Sequence, residues 1–338
     1  MFFGISSFLI ITTSLLAMSP DANLSLFLYD KFVNKKMLKN TLSGKRIWIT
    51  GCSSGIGEEL ASQLHSHGAN LILSGRRETE LVRVKEKCLD SMLPAHPEIH
   101  ILPFDITDEI HNLQKVVSSA VQLYNGVDIL ILNAGSGQLS PALDNDSHDY
   151  RSLMEVNFWG PSVLAQLLIK EDGWSKKPRR GHIFVTSSVA SKMSLPLGSS
   201  YAASKAALHA FFSSLRSEYG DWLRIDLCCP GPIATAFQSK VKGSPIALGE
   251  NDDSETKMPV KRCAALMISA IHAPAFFSME TWISSNPTLG FMYLNQYFPN
   301  VSNILLSKVI GPLRLKAFRA GLPLYETTSF LKAAKMDD

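Results

Sequence analysis

Short runs of β-branched and aromatic residues recur through the first two thirds of the chain. They fall at 45–50, 70–74, 99–104, 127–132 and 181–186. Each is closed by a turn of small or polar residues, and most lead into a segment whose apolar positions are three or four apart. Runs this short, apolar on both faces, suit strands buried in a parallel sheet. Their alternation with helical segments predicts an α/β fold built on a doubly wound parallel sheet. Beyond residue 275 the pattern changes. Residues 276–306 are rich in Phe, Met, Tyr, Trp and Leu, and Pro287 and Pro299 interrupt any long helix. An apolar, helical extension is expected there, either lining a substrate entrance, resting on a membrane, or packing on the core.

The N-terminus is apolar in a different way. Residues 1–18 contain no charged side chain. At ~1.5 Å per residue, a helix of this length approaches the ~30 Å hydrocarbon core of a bilayer. A cleaved signal peptide is the rival reading. The missing basic n-region and Pro20, directly after Ala17-Met18-Ser19, argue against it. An uncleaved membrane anchor is therefore expected, with 19–43 as a linker whose apolar part, 23–29, lies at the membrane interface. Lys31, Lys35, Lys36 and Lys39 follow the anchor, and the positive-inside bias then puts the globular part on the cytosolic side. Asn-x-Ser sequons at Asn23, Asn145 and Asn300 matter only if the domain is lumenal.

Composition narrows the function. The chain has 338 residues, 46% apolar and 19% charged, enough to bury one large α/β domain plus extensions. Its net charge of +3 is dispersed, so nucleic acid is not an expected partner. The five cysteines are odd in number and lack C-x-x-C spacing. Neither a disulfide framework nor a metal site is indicated, and core thiols are expected.

Two stretches carry candidate chemistry. The first run leads into Gly51-Cys-Ser53-Ser54-Gly55-Ile56-Gly57, followed by a helical pattern. Strand, glycine turn and helix form the arrangement that holds a dinucleotide pyrophosphate on backbone N–H groups at a helix N-terminus. The same residues satisfy G-x-S-x-G, a nucleophile elbow that would make Ser53 the nucleophile of a serine hydrolase. Chain order opposes that reading, because the elbow sits on the first strand and only His272 follows His209. At the end of the second run, Gly75 is followed by Arg76 and Arg77, with no acidic residue to take ribose hydroxyls. Two arginines there suit a 2′-phosphate, so NADP(H) is expected rather than NAD(H).

The second stretch is Tyr201-Ala-Ala-Ser-Lys205, with Ser187-Ser188 upstream. Residues four apart share a helix face. A tyrosine titrates near ~10 and is a poor acid–base group at neutral pH. A lysine ammonium about 5 Å away, at an effective dielectric of roughly 20, stabilises the phenolate by about 3 kcal/mol, or about two pKa units. The pair makes sense as a proton donor and its tuner.

Taken together, these motifs resemble the short-chain dehydrogenase/reductase family over roughly residues 44–275. The family's cofactor turn matches Thr50 to Gly57, its adenine-side Asp matches Asp105, and its Asn-Asn-Ala-Gly motif appears as Leu132-Asn133-Ala134-Gly135, with the first Asn lost. The active-site asparagine matches Asn157, and the catalytic serine matches Ser188 rather than Ser187. Pro230-Gly231-Pro232-Ile233, followed by Thr235, matches the segment that clamps nicotinamide. Residues 257–263 and the aromatic tail look like one membrane-associated branch, the dehydrogenase/reductase SDR family member 7 group, related to retinal and steroid reductases.

The resemblance implies a Rossmann-type catalytic domain at 44–275, between the anchor and linker and a 276–338 extension. It implies that Tyr201 exchanges the proton, Ser188 orients the substrate oxygen, Lys205 tunes Tyr201 and binds the nicotinamide ribose, and Asn157 supports a water relay. The anchor and the apolar tail suggest a lipophilic carbonyl or alcohol as substrate; endoplasmic-reticulum membrane association is expected, and the resemblance implies a homodimer. Residues 236–257 turn polar and acidic and are expected to form a mobile lid or a plain insertion, and 170–180 a solvated basic loop. A nucleotide-binding scaffold without strong catalysis is the alternative.

Overall fold

The computed structural model describes residues 21–32, 41–90, 97–176, 181–237, 241, 257–322, 324 and 327–335. The expected anchor at 1–18 lies outside the described residues, as does most of the expected lid (238–240 and 242–256). No helix among the described residues is long and apolar enough to cross a membrane.

In chain order the elements are α1 (Leu24–Phe32), β1 (Arg46–Thr50), α2 (Gly55–Ser66), β2 (Asn70–Ser74), α3 (Glu78–Leu89), β3 (Ile99–Ile101), α4 (Ile110–Leu123) and β4 (Ile129–Leu132). Next come α5 (Ser147–Met154), a π-helical turn (Glu155–Trp159), α6 (Gly160–Glu171), β5 (Gly181–Thr186), α7 (Ser199–Tyr219), β6 (Leu223–Pro230) and β7 (Ile233–Ala234). The C-terminal part holds β8 (Met258–Pro259), α8 (Val260–His272), α9 (Ala275–Ser278), β9 (Glu280–Ile283), α10 (Thr288–Tyr297), α11 (Pro299–Leu305), α12 (Gly311–Arg319) and α13 (Thr327–Ala334).

Seven strands form one parallel sheet in the order β3-β2-β1-β4-β5-β6-β9, and β7 pairs with β8 apart from it. The order reverses between β1 and β4, and a crevice opens there at the carboxyl ends of the strands. One face of the sheet packs on α2, α3 and α8 through Ile47, Ile49, Leu60, Leu71 and Met267. The other packs on α4, α6 and α7 through Trp48, Leu130, Ile183, Leu164 and Phe212. Burial on both faces explains why the strands read as unbroken apolar runs. All five cysteines are buried and free, in line with core thiols.

Four features depart from the expected pattern, the first being β6, an eight-residue strand beside β5 that none of the five runs announced. β3 stops at Ile101 because Pro103 has no N–H for the ladder, although Leu102 and Phe104 still donate to Leu73 and Gly75. The sheet's last strand, β9, lies past residue 275, so the extension contributes to the core sheet before turning helical. The apolar part of 19–43, expected at a membrane interface, packs on the domain instead. Ala22 bridges to Ile283 at the edge of β9, and Leu26 is fully buried beside α8. The pattern misplaced this helix because an apolar stripe against protein and one against lipid read alike.

Candidate active site

The crevice at the switch point is a cleft of ≈ 1180 Å³. It gathers Gly51, Ser53, Ser54, Gly55 and Ile56 from the first turn, Arg76 and Arg77 after β2, and Asp105. Asn133, Ala134 and Gly135 enter after β4, Ser188 after β5, Tyr201 and Lys205 from α7, and Pro230, Gly231, Ile233 and Thr235 after β6. Of the residues expected at the site, only Gly57 and Asn157 do not line the cleft. Both act from behind its wall.

The glycine turn is fixed by crowding. Gly51 has φ +74°, and a Cβ there would lie 2.8 Å from Ala134 Cα. A Cβ on Gly57 would come within 2.2 Å of the Gly51 carbonyl oxygen. Asn133 closes the turn by donating from Nδ2 to the Thr50 and Gly51 carbonyls, while Thr50 Oγ1 accepts from the Asn133 and Ala134 amides. Leu132, where the family has a further Asn, is buried in the core, so Asn133 alone makes this tie. Ser54 caps α2 without a side-chain hydrogen bond, which leaves the helix's first amides for a ligand in the cleft.

Around this turn sit the two arginines. Arg77 Nη2 donates to Ser53 Oγ at 3.0 Å. A guanidinium only donates and cannot serve as a base, so this contact does not activate Ser53 as a nucleophile. Arg76 lies 3.6 Å from the Asp105 carboxylate, and Asp105 accepts from the amide and hydroxyl of Thr107.

At the other end of the cleft, α7 presents Tyr201 in its first turn and Lys205 one turn later. Lys205 is 4% exposed, and its Nζ donates to the Thr186 carbonyl at 2.9 Å. Burial pulls its pKa down to about 8. Ser188 caps the short 3-10 turn Val189–Ser191, its Oγ accepting from the Ala190 amide at 3.1 Å. That bond leaves its O–H proton and a lone pair available.

Asn157 is fully buried in the π-helical turn. Its Oδ1 accepts from Ser136 N, and its Nδ2 donates to Ser136 O and Ser204 Oγ. Both amide protons are therefore used on the protein itself. A Cβ built on Gly135 would lie 3.1 Å from Asn157 Oδ1 and 3.4 Å from Lys205 Nζ, so both atoms approach the wall of the cleft at that glycine. Asn157 positions this wall through its bonds to Ser136 and Ser204.

Sequence reasoning missed the outer part of the cleft. Leu139, Leu195, Pro196, Phe237 and Val241 give it an apolar mouth, and Arg314 reaches it from α12. The Phe237 ring sits 6.2 Å from that of Tyr201, centroid to centroid. Leu139 and Leu197 pack with Ala317, Phe318 and Leu324, so the extension walls the mouth. The apolar stretch 276–306 that pointed to an entrance contributes no residue to the cleft; its Leu289 and Met292 pack with Val189 and Cys229 instead.

A doubly wound sheet with a glycine turn and a Tyr-x-x-x-Lys helix on one cleft defines a class of oxidoreductases. The chain belongs to the short-chain dehydrogenase family, whose model matches residues 45–244. It is similar to "Dehydrogenase/reductase SDR family member 7" of Mus musculus, 36% identical over 296 residues that make up 86% of this chain and 84% of that one. Its fold matches a short-chain dehydrogenase/reductase from Burkholderia phymatum in complex with NAD, with TM-score 0.64, 22% identity and coverage of 77% of this chain and 95% of that one. A short-chain dehydrogenase from Burkholderia cenocepacia J2315 in complex with NADP gives TM-score 0.61 and 22% identity, covering 79% and 99%.

Proposed function

We propose that the protein is an NADP(H)-dependent oxidoreductase that interconverts a carbonyl and an alcohol on a lipophilic substrate of the retinoid or steroid kind. The observation that carries this reading is the convergence of Tyr201, Lys205 and Ser188 on the same cleft as the glycine turn. The residues present fit a dinucleotide. The turn is held open by glycines that tolerate no Cβ, the α2 N-terminus lacks a side-chain cap, and Thr186 Oγ1 is buried without a hydrogen-bond partner among the described residues.

Gly51, Ser53, Ser54, Gly55 and Ile56 would hold the pyrophosphate, and Asp105 the adenine end. Arg76 and Arg77 would pair with a 2′-phosphate. Relatives of this fold have been captured with NAD as well as NADP, so the arginines carry the choice of NADP(H). Asn133, Ala134, Gly135, Pro230, Gly231, Ile233 and Thr235 would enclose the nicotinamide side. When bound, the nicotinamide supplies or accepts the hydride.

The chain's own residues do the rest. Ser188 Oγ–H hydrogen-bonds the substrate oxygen and orients it. Tyr201 gives that oxygen its proton in reduction and takes it back in oxidation. The Lys205 ammonium favours phenolate in Tyr201 and so brings its proton transfer into range. Leu139, Leu195, Pro196 and Phe237 supply the apolar contact that suits a lipophilic substrate. Membrane attachment through 1–18 in the endoplasmic reticulum would put the enzyme beside such substrates. A second copy is the proposed protein partner, with Trp159, exposed on the π-helical turn beside Phe158, as a candidate contact.

The test is NADPH consumption by purified protein over a panel of retinoid, steroid, quinone and fatty carbonyls. Turnover is expected with at least one, and Tyr201→Phe should lower it by about 100-fold or more while NADPH still shifts the protein fluorescence. Near-normal turnover in Tyr201→Phe would overturn the assignment. NADPH binding without turnover on any member of the panel would favour a nucleotide-binding scaffold.

A further inference from the structure

Outside the cleft, the helix that follows the apolar N-terminus makes an unusual set of contacts. On one side, residues 21–23 run along the free edge of β9. Asn23 N donates to Trp282 O at 2.8 Å, Trp282 N to Asn23 Oδ1 at 3.1 Å, and Ser284 N to Asp21 O at 3.1 Å. β9 is bound in turn to the clamp segment, since Gly231 N donates to Ile283 O at 2.9 Å. Contact between the two is close. A Cβ on Gly231 would fall 2.1 Å from Ser284 Oγ.

A second route reaches the same segment from the other side. Arg262, in the first turn of α8, pairs with both ends of the N-terminal segment: Nε with Asp21 at 2.7 Å and Nη1 with Asp30 at 2.9 Å. Asp30 also accepts from Ser269 Oγ at 2.6 Å, further along α8. α8 grows directly out of β8, and β8 pairs with β7 in register Ile233↔Met258 and Ala234↔Pro259. Met258 N donates to Pro232 O at 3.0 Å. Thr235, just past β7, is the side chain a Cβ on Gly55 would touch, at 3.4 Å. The clamp thus lies between the glycine turn and two supports that both end on 21–32.

We infer that residues 21–32 brace the Pro230–Thr235 segment, with Asp21, Asp30 and Arg262 as positioning residues that set nucleotide affinity without touching the nucleotide. The inference rests on the nucleotide reading above for its effect on affinity, but not for the brace itself. Coupling of this kind travels through contiguous hydrogen-bonded elements, and β7–β8 and β9 supply that continuity. The brace also ties whatever holds the N-terminus to the site of chemistry.

Two measurements test it on the full-length protein. NADPH titration should give a dissociation constant raised about 5-fold or more in Arg262→Ala, the lower range of site-to-site coupling, with kcat at saturating NADPH little changed. Arg262→Lys should recover part of the loss, because an ammonium keeps the charge but not the two-pronged geometry. Hydrogen exchange on nucleotide-free protein should be faster at the Gly231 and Met258 amides and unchanged in the β1–β4 ladder. Should Arg262→Ala not fold, the double variant Asp21→Asn with Asp30→Asn keeps the shapes, removes the charges, and carries the same comparison. A folded variant with wild-type exchange at both amides would overturn the brace, as would a rise spread equally through β1 and β4. Failure of the wild-type protein to bind NADPH or NADH would sink the nucleotide reading instead, and the exchange experiment would still decide the brace.

Discussion

Lys205 holds its ammonium in a buried site against one carbonyl oxygen, and burial lowers its pKa from the ordinary 10.5 to about 8. At neutral pH the group is still mostly charged, as the proposed effect on Tyr201 requires. The shift of two to three units corresponds to about 3 kcal/mol of folding free energy given up to keep that charge inside. The sign follows from linkage. Below pH 8 both folded and unfolded chains carry the proton, so the whole cost is present. Between about 8 and 10.5 the unfolded chain binds the proton and the folded one does not, so stability gained from this residue rises with pH. Lys205→Met should therefore abolish turnover, and the melting temperature of the wild type relative to the variant should rise between pH 7 and pH 10. A difference that stays constant over that range would mean that Lys205 does not titrate as its burial requires. The spacing to Tyr201 was legible because it is set by the helix repeat. The Thr186 carbonyl and the degree of burial were not, since both come from β5, more than a dozen residues away. Asn157 is the complementary case: its position could be matched to a motif, but its three bonds to Ser136 and Ser204 belong to the folded molecule.

Among the elements, the turn from β1 into α2 shows what the glycines contribute. Gly44, in the turn before β1, has φ +72° but nothing within 4 Å of a built Cβ, whereas Gly57, inside α2, has no room at all. Gly44→Ala should cost about 1–2 kcal/mol from left-handed strain alone. Gly57→Ala must push the Gly51 carbonyl and the Asn133 amide apart, which breaks the tie that shapes the turn. It should lose NADPH binding altogether and destabilise by about 2 kcal/mol or more. Fluorescence titration beside thermal unfolding separates the two variants, and an NADPH affinity preserved in Gly57→Ala would contradict the crowding argument. The four N-terminal strands and β5 were readable because each ends in a turn of small or polar residues. β9 was not, because a four-residue strand inside an aromatic-rich stretch has no period to distinguish it from helix. The π-helical turn at Glu155–Trp159 is invisible for a similar reason, since one extra residue in a helix leaves the apolar pattern almost unchanged.

At the scale of the whole molecule, the chain closes its sheet with its two ends. β9 brings the C-terminal part to the sheet edge, and residues 21–23 cover that edge, which would otherwise present unpaired N–H and C=O groups. α1 then fills the groove beside α8, burying Leu26 completely, while Tyr29 is hydrogen-bonded to His272 and Asp21 and Asp30 hold Arg262. Composition places an apolar stretch before residue 19 and another after it, and nothing in the pattern separates the two. The structure places the second, because the long-range contacts described for 21–32 are with the domain. Two truncations should therefore behave differently. Removing residues 1–20 leaves each of these contacts in place and should leave the melting temperature near that of the full chain. Removing 1–32 strips the Leu26 side chain, worth about 1.5–3 kcal/mol of burial, exposes the edge of β9 and leaves Arg262 without its two carboxylates. At about 2–4 °C per kcal/mol for a domain of this size, the loss should be on the order of 10 °C, with a tendency to associate through the bared edge. Equal melting temperatures for the two truncations would show that α1 is a passenger on the domain rather than part of its core.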